Sequence, residues 1–258
     1  MTLGARPDGE NPPNAIWRSF RAGKPVLSNE WVATTTYSYD SDGNLTSAGT
    51  STFSWGYRNR LTQAVTQGST TTYAYDDGLN RVSQTVGNTT TIYPNKYYSI
   101  TSTTNGGTTY ATTTVYVWNG DTLIATIDQP MINGAATGTA ATRYIHPDHL
   151  GSTNVVSDES GNVVDNLEYY PYGETRLNQP TYPTNAQRQY IAQFKDGNSL
   201  SYLNARYYSG TQGQFLSEDP LFLADPKSQD LTDPQSLNSY SYSEDNPINK
   251  SDPSGKAT

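Results

Sequence analysis

Cysteine is absent from the 258 residues, and histidine and methionine occur twice each. Disulfide staples, thiolate metal sites and a cysteine nucleophile are excluded, although the compartment is not fixed by this. Charge is sparse as well: Lys and Arg total 16 against 24 Asp and Glu, a formal net charge of -8. An acidic balance is not the footprint of a nucleic-acid binder, and 16% charged residues do not suit charge-rich disorder. No apolar run approaches the roughly 20 residues of a membrane helix. Residues 1–10 are polar and contain Gly and Pro, without the pattern of a signal peptide. Either the natural N-terminus lies upstream or export takes another route. Apolar residues reach only 33% and mean hydropathy is -0.72. The length suits one large domain or two small ones, but a single dense core is not expected.

The apolar content is unusual in kind, with Tyr 21, Trp 4 and Phe 5. Thr, Tyr and Val favour strands, while Gly 21 and Pro 15 supply turns. A unit then recurs: Thr36-Tyr37-Ser38-Tyr39-Asp40 to Leu45, Thr52-Phe53-Ser54-Trp55 to Leu61, Thr72-Tyr73-Ala74-Tyr75-Asp76 to Val82, and a weaker copy from Val115 to Ile124. Echoes follow at Val156 to Val164 and Leu167 to Gly173. Aromatic, small, aromatic is period-2 patterning with both rings on one face. Asp-x-x-Gly-Asn supplies an Asx turn, and Leu or Val resumes a second strand. The fold class predicted is all-β: a winding sheet of stacked hairpins, both faces open to solvent. Tyr39, Trp55, Tyr75 and Trp118 should take equivalent places on successive hairpins, with any helix short and within 1–30 or 184–195.

These residues carry a resemblance. Tyr73-Ala74-Tyr75-Asp76 with Asn80-Arg81-Val82 resembles the YD repeats of Rhs proteins. His146-Pro147-Asp148-His149-Leu150-Gly151-Ser152 resembles the HxDHLGS stretch before that family's core. Ala205-Arg206-Tyr207-Tyr208, Phe215-Leu216-Ser217-Glu218-Asp219-Pro220, Asn238 to Pro247 and Asp252-Pro253-Ser254-Gly255 resemble the Rhs repeat-associated core. The likeness spans roughly residues 33–255. It implies a hollow β-shell, as in Rhs proteins, C subunits of insecticidal toxin complexes and teneurins. It divides the chain into an N-terminal lead-in or plug (1–30), YD-repeat hairpins (31–142) and a core closing the shell (143–258).

The resemblance also implies an aspartyl self-protease that cuts just beyond the DPxG motif and releases a C-terminal toxin inside the shell. Carried over residue by residue, its site is Arg206, Asp219 and Asp252. The chemistry is sound. Two carboxyl groups, one protonated and one ionised, hydrolyse a peptide without metal, serine or cysteine, and a guanidinium orients one of them and steadies developing negative charge. Against this, Asp-Pro is a common turn starter and occurs here at 219, 225, 233 and 252. The chain departs from the family pattern where Ser209 replaces Asp, Gln214 replaces Arg and Lys256 replaces Leu. Residues 221–236 also look longer than usual between the two motifs. Lys256 borders the bond to be cut, so a silent core stays open as an alternative.

Other clusters are read as structural. His146, Asp148 and His149 have no third His and no Cys beside them, so no metal is assigned. Asp40, Asp42 and Asn44 have calcium-loop spacing, but Ser51 stands where the twelfth-position Glu belongs, which leaves an Asx turn. The rings are read as packing rather than as sugar platforms, and no cofactor is called. The expected role is the C-terminal shell and core part of an Rhs-type polymorphic toxin, secreted or at the bacterial cell surface. The expected partners are a toxin domain absent from this chain, an immunity protein, delivery machinery and a second shell chain, with no nucleic acid and no membrane span. The alternative is an extracellular or cell-surface YD-repeat adhesion protein without catalysis.

Overall fold

Turn chemistry writes the fold. Asp40, Asp76 and Asp158 each accept the backbone N–H of an Asn four residues on, at 2.8, 2.7 and 2.8 Å. Each Asn side-chain amide returns a bond to the other carboxylate oxygen, at 3.0, 3.1 and 3.1 Å. Asp148 treats Ser152 N–H in the same way at 2.8 Å. The carboxylate of Asp40 is thus engaged in an Asx turn.

The computed structural model describes residues 35–180, 186–224 and 232–256, so the proposed lead-in at 1–30 lies outside the described residues. From Thr35 onward the chain is one compact unit. Strands β1 (Tyr37–Tyr39), β2 (Leu45–Ala48), β3 (Ser51–Gly56), β4 (Arg60–Thr66), β5 (Ser69–Tyr75), β6 (Arg81–Val86), β7 (Thr89–Asn95), β8 (Tyr98–Asn105), β9 (Thr108–Asn119) and β10 (Thr122–Ile132) pair antiparallel in sequence order. β11 (Ala135–Ala136) pairs only with β10, and the meander continues through β12 (Ala141–Pro147), β13 (Thr153–Ser157), β14 (Val163–Tyr169) and β15 (Thr175–Asn178). Among the described residues β1 and β15 stay at the two edges, so this sheet is open. A second sheet holds β16 (Phe194–Lys195), β17 (Leu200–Leu203), β18 (Arg206–Ser209) and β19 (Gln214–Phe215).

The expected ring equivalence holds in part, and it has a physical basis. Pairing slips by a bulge beside Tyr39, Trp55, Tyr75 and Tyr169. Trp55 Nε1 then donates to Leu45 O, Tyr75 Oη to Leu61 O and Tyr169 Oη to Thr153 O, at 2.7, 2.7 and 2.8 Å. Each ring therefore locks its hairpin to the preceding strand. Tyr39 has no preceding strand among the described residues and rests half-exposed against Tyr240. Trp118 departs from the pattern: its Nε1 makes no hydrogen bond, and its ring lies beneath Lys96 and Arg188.

One face of the long sheet is not open to solvent, contrary to the expectation. Phe53, Leu61, Tyr73, Tyr93, Tyr116 and Leu123 pack against Phe194, Leu200, Tyr202, Tyr207 and Leu216 of the C-terminal segment. Apolar area is scarce, so buried arginines help to join the layers. Arg81 pairs with Asp196 at 2.8 Å between the rings of Tyr93 and Tyr202, at 4.4 and 4.5 Å. Arg188 sits 3.9 Å over Phe194 and donates to Lys96 O at 3.2 Å.

Among the described residues helix is confined to short pieces, and 3-10 turns at Tyr57–Asn59, Pro234–Leu237 and Ser243–Asp245 fall outside the expected 1–30 and 184–195. A 3-10 turn at Tyr190–Ala192 falls within the expected 184–195. The five-residue α1 (Pro220–Ala224) was not expected, although its cause is local: Asp219 Oδ1 accepts Leu221 N–H at 2.8 Å, with Pro220 in the first helical position.

The Asx turns carry a pH signature. Hydrogen bonds from the Asn162 side chain and backbone hold the Asp158 carboxyl below its ordinary 3.8. The ionised form is favoured by folding, so its contribution is complete above the ordinary value and is lost as pH falls through the lower, folded value. Asp158→Ala should therefore melt below the parent at neutral pH. The gap should close as pH drops below about 4, as thermal melts across the acid range will show.

Candidate active site

Arg206, Asp219 and Asp252 converge, and all three are buried, with relative exposures of 2–3%. The first residue of β18 supplies Arg206, which pairs with Leu203 across a two-residue hairpin loop. Asp219 caps α1, and Asp252 opens the C-terminal turn. Arg206 Nη2 lies 2.8 Å from Asp219 Oδ2 and 3.6 Å from Asp252 Oδ2. Its Nη1 donates to Ser239 O at 2.8 Å and its Nε to Gly255 O at 2.6 Å. The guanidinium carbon stands 3.5 Å from the centre of the Phe215 ring, which fixes its plane.

The DPxG segment is held by three successive donors. Asn204 Nδ2 donates to Pro253 O at 2.8 Å, the Ala205 N–H to Ser254 O at 3.1 Å and Arg206 Nε to Gly255 O. The glycine of the motif has a steric reason. With φ at +65°, any Cβ on Gly255 would collide with Leu203 O and crowd Arg206 N. On the other side of Asp252, the Ser254 hydroxyl donates to Oδ1 at 2.8 Å and the Lys256 N–H to the same oxygen at 3.2 Å. Lys256 itself is exposed.

Burial pushes the Asp252 carboxyl up, and the neighbouring Asp219 charge adds to this, against the pull of Ser254 and Arg206. Burial likewise pushes Arg206 down to about 10, against the attraction of both carboxylates. The Asp252 carboxyl is thus biased toward its protonated form. The arrangement offers a neutral-leaning acid, a second acid tied to a guanidinium, and a backbone carbonyl receiving a charge-assisted hydrogen bond.

Two departures from the Rhs pattern form one change. Ser209 and Gln214 face each other in the β18–β19 register, so a neutral pair stands where Asp and Arg would form a cross-strand ion pair. The other clusters are engaged elsewhere. His146 Nε2 bonds Ser157 Oγ at 2.9 Å, and His149 Nε2 bonds Ile248 O at 2.8 Å. The site residue that sequence reasoning missed is Asn204. Its only signal was adjacency to Ala205-Arg206.

Set against known proteins, residues 25–248 match the family described as Teneurin YD-shell. The tRNA3(Ser)-specific nuclease WapA of Bacillus spizizenii is 29% identical over 84% of this chain but only 9% of that protein. Toxin subunit YenC1 of Yersinia entomophaga is 30% identical over 45% of this chain and 11% of that protein. The chain therefore spans about a tenth of the length of these relatives. Among solved structures, a TcdB2-TccC3 crystal structure superposes with a TM-score of 0.70 at 22% identity, covering 84% of this chain and 11% of that one. The Tc holotoxin pore of Photorhabdus luminescens gives 0.68, also at 22% identity, over 84% of this chain and 10% of that one. At that identity the likeness concerns the fold.

Removing Arg206 leaves two buried carboxyl groups without their cation. Arg206→Met should cost about 3–5 kcal/mol in urea unfolding. Neutralising both acids in the same chain (Asp219→Asn with Asp252→Asn) should recover most of the loss. A double-mutant cycle measures the coupling.

Proposed function

The chain belongs to the teneurin YD-shell family, and from that premise we propose that it is the self-processing C-terminal end of a shell in an Rhs-type toxin protein. Its long sheet continues a larger shell, and its C-terminal segment closes that shell. The carboxyl pair cuts the chain beside Lys256, freeing a toxin domain that follows. Such a protein acts outside the cell that makes it, with an immunity protein and delivery machinery as its partners.

One observation carries the reading: a single buried guanidinium touches Asp219, Asp252 and the Gly255 carbonyl together. In the proposed reaction the Asp219 carboxylate takes a proton from water as the water oxygen attacks a peptide carbonyl bordering Lys256. The Asp252 carboxyl then gives its proton to the leaving nitrogen, so water adds across the C–N bond and two termini result. Arg206 orients Asp219 and, through Gly255 O, holds the substrate segment in place. The open sheet, with one face covered by the chain's own C-terminal segment, leaves the enclosure of cargo to the longer protein.

The test extends the chain past Thr258 with a reporter domain and reads fragment masses. A cut bordering Lys256 is expected. Asp219→Asn or Asp252→Asn should abolish it, and Arg206→Ala should slow it roughly 100-fold or more. An uncut parent fusion would overturn self-cleavage and favour the adhesion protein without catalysis. Cleavage that survives both Asp→Asn changes would assign the cut to a foreign protease.

A further inference from the structure

The hairpin loop that presents Arg206 is held from two sides. Toward the C-terminus, Asn204, Ala205 and Arg206 clamp the carbonyls of Pro253, Ser254 and Gly255. From the long sheet, Arg60 reaches the same loop. Its Nη1 donates to Ala205 O and lies 3.4 Å from Asn204 O. These carbonyls belong to the two loop residues themselves, 144 and 145 positions away in sequence.

Asn204 takes the left-handed turn conformation, with φ of +59°, which asparagine tolerates without outside help, so the clamps set the loop's orientation rather than its shape. The loop is two residues long, so a tilt of its peptide planes moves Ala205 N–H and Arg206 together. That tilt would shift Arg206 relative to both carboxyl groups. Arg60 opens β4, with its guanidinium 5.9 Å from the Tyr75 ring centre on β5. Its place is set by the β3–β4 pairing, where it faces Gly56, and by the β4–β5 pairing that brings β5 alongside.

We propose that Arg60 is a positioning residue for the carboxyl site: by bonding both loop carbonyls it makes self-cleavage conditional on the assembled YD-repeat sheet. The inference rests on the self-cleaving reading and adds its regulation. A chain whose C-terminal segment folds without docking on the sheet holds its DPxG segment but cuts slowly. Release of the following domain then waits until the sheet is built.

The test uses the full chain with the reporter beyond Thr258, comparing cleavage rates below the melting temperature of every variant. Arg60→Met keeps a stem to pack on Tyr75 and removes the donor. It should slow the cut roughly 10- to 100-fold, the scale of a small misplacement transmitted to reacting groups. Arg60→Lys keeps a single donating nitrogen, which is all that Asn204 O and Ala205 O receive from Arg60, and should recover to within about tenfold of the parent rate. The control is Asn198→Ala, which removes a different contact between the layers, the bond from Asn198 Nδ2 to Tyr73 Oη. It should cut at the parent rate even with a lowered melting temperature. Arg60→Met cutting at the parent rate, or slowed no more than Asn198→Ala, overturns the proposal and leaves self-cleavage standing. An uncut parent fusion overturns both. Should Arg60→Met fail to fold, Arg60→Gln, which stays polar but is too short to carry its donor to the loop, decides: a slowing of roughly tenfold or more supports the proposal, and the parent rate overturns it.

Discussion

Buried guanidinium groups are the interaction on which this molecule turns. A chain with 33% hydrophobic residues cannot fix one layer on another by apolar area alone. Arg81, buried between Tyr93 and Tyr202 and paired with Asp196, joins β6 to the C-terminal segment with direction as well as adhesion. Arg188, stacked on Phe194 and bonded to Lys96 O, does so farther along. Ring faces and carbonyls accept what a desolvated cation must donate. Tyrosine suits such an interface because its ring packs while its hydroxyl still finds a partner.

The same device, moved along the chain, becomes a candidate for chemistry. Arg206 differs from Arg81 in having two carboxyl groups within reach instead of one. A single acid beside a buried arginine makes a stable ion pair. A second acid at 3.6 Å leaves a surplus carboxyl in a dry place, and burial raises its pKa. The count of acids around a cation thus separates a plain ion pair from a site suited to chemistry, and the glycine of DPxG matters because it lets the backbone come close enough to receive the third donor.

Much of the first layer was legible in the sequence. Aromatic residues two apart, followed by Asp and then Asn four residues on, encode a strand, an Asx turn and a second strand, because these are contacts within one hairpin. The hydrogen bonds from Trp55, Tyr75 and Tyr169 to the preceding strand follow from the same spacing. The pattern broke at Trp118, where the adjacent cations Lys96 and Arg188 come from a neighbouring hairpin and from the C-terminal segment. The helix at Pro220–Ala224 is hidden for a different reason: Asp219-Pro220 carries a site acid, and the same two residues are also a helix start.

The residues themselves determined an all-β hairpin meander and, through the Rhs resemblance, a short list holding Arg206, Asp219 and Asp252. Local spacing and turn chemistry suffice for the first, and motif likeness for the second. Three-dimensional packing decided which face of the sheet is covered, that Asn204 and Gly255 O complete the site, and that Arg60 stands behind its loop. Those contacts join positions 49 to 145 residues apart. No periodicity reports them, because a hydrogen bond to a backbone carbonyl leaves no trace in the identity of the residue that accepts it.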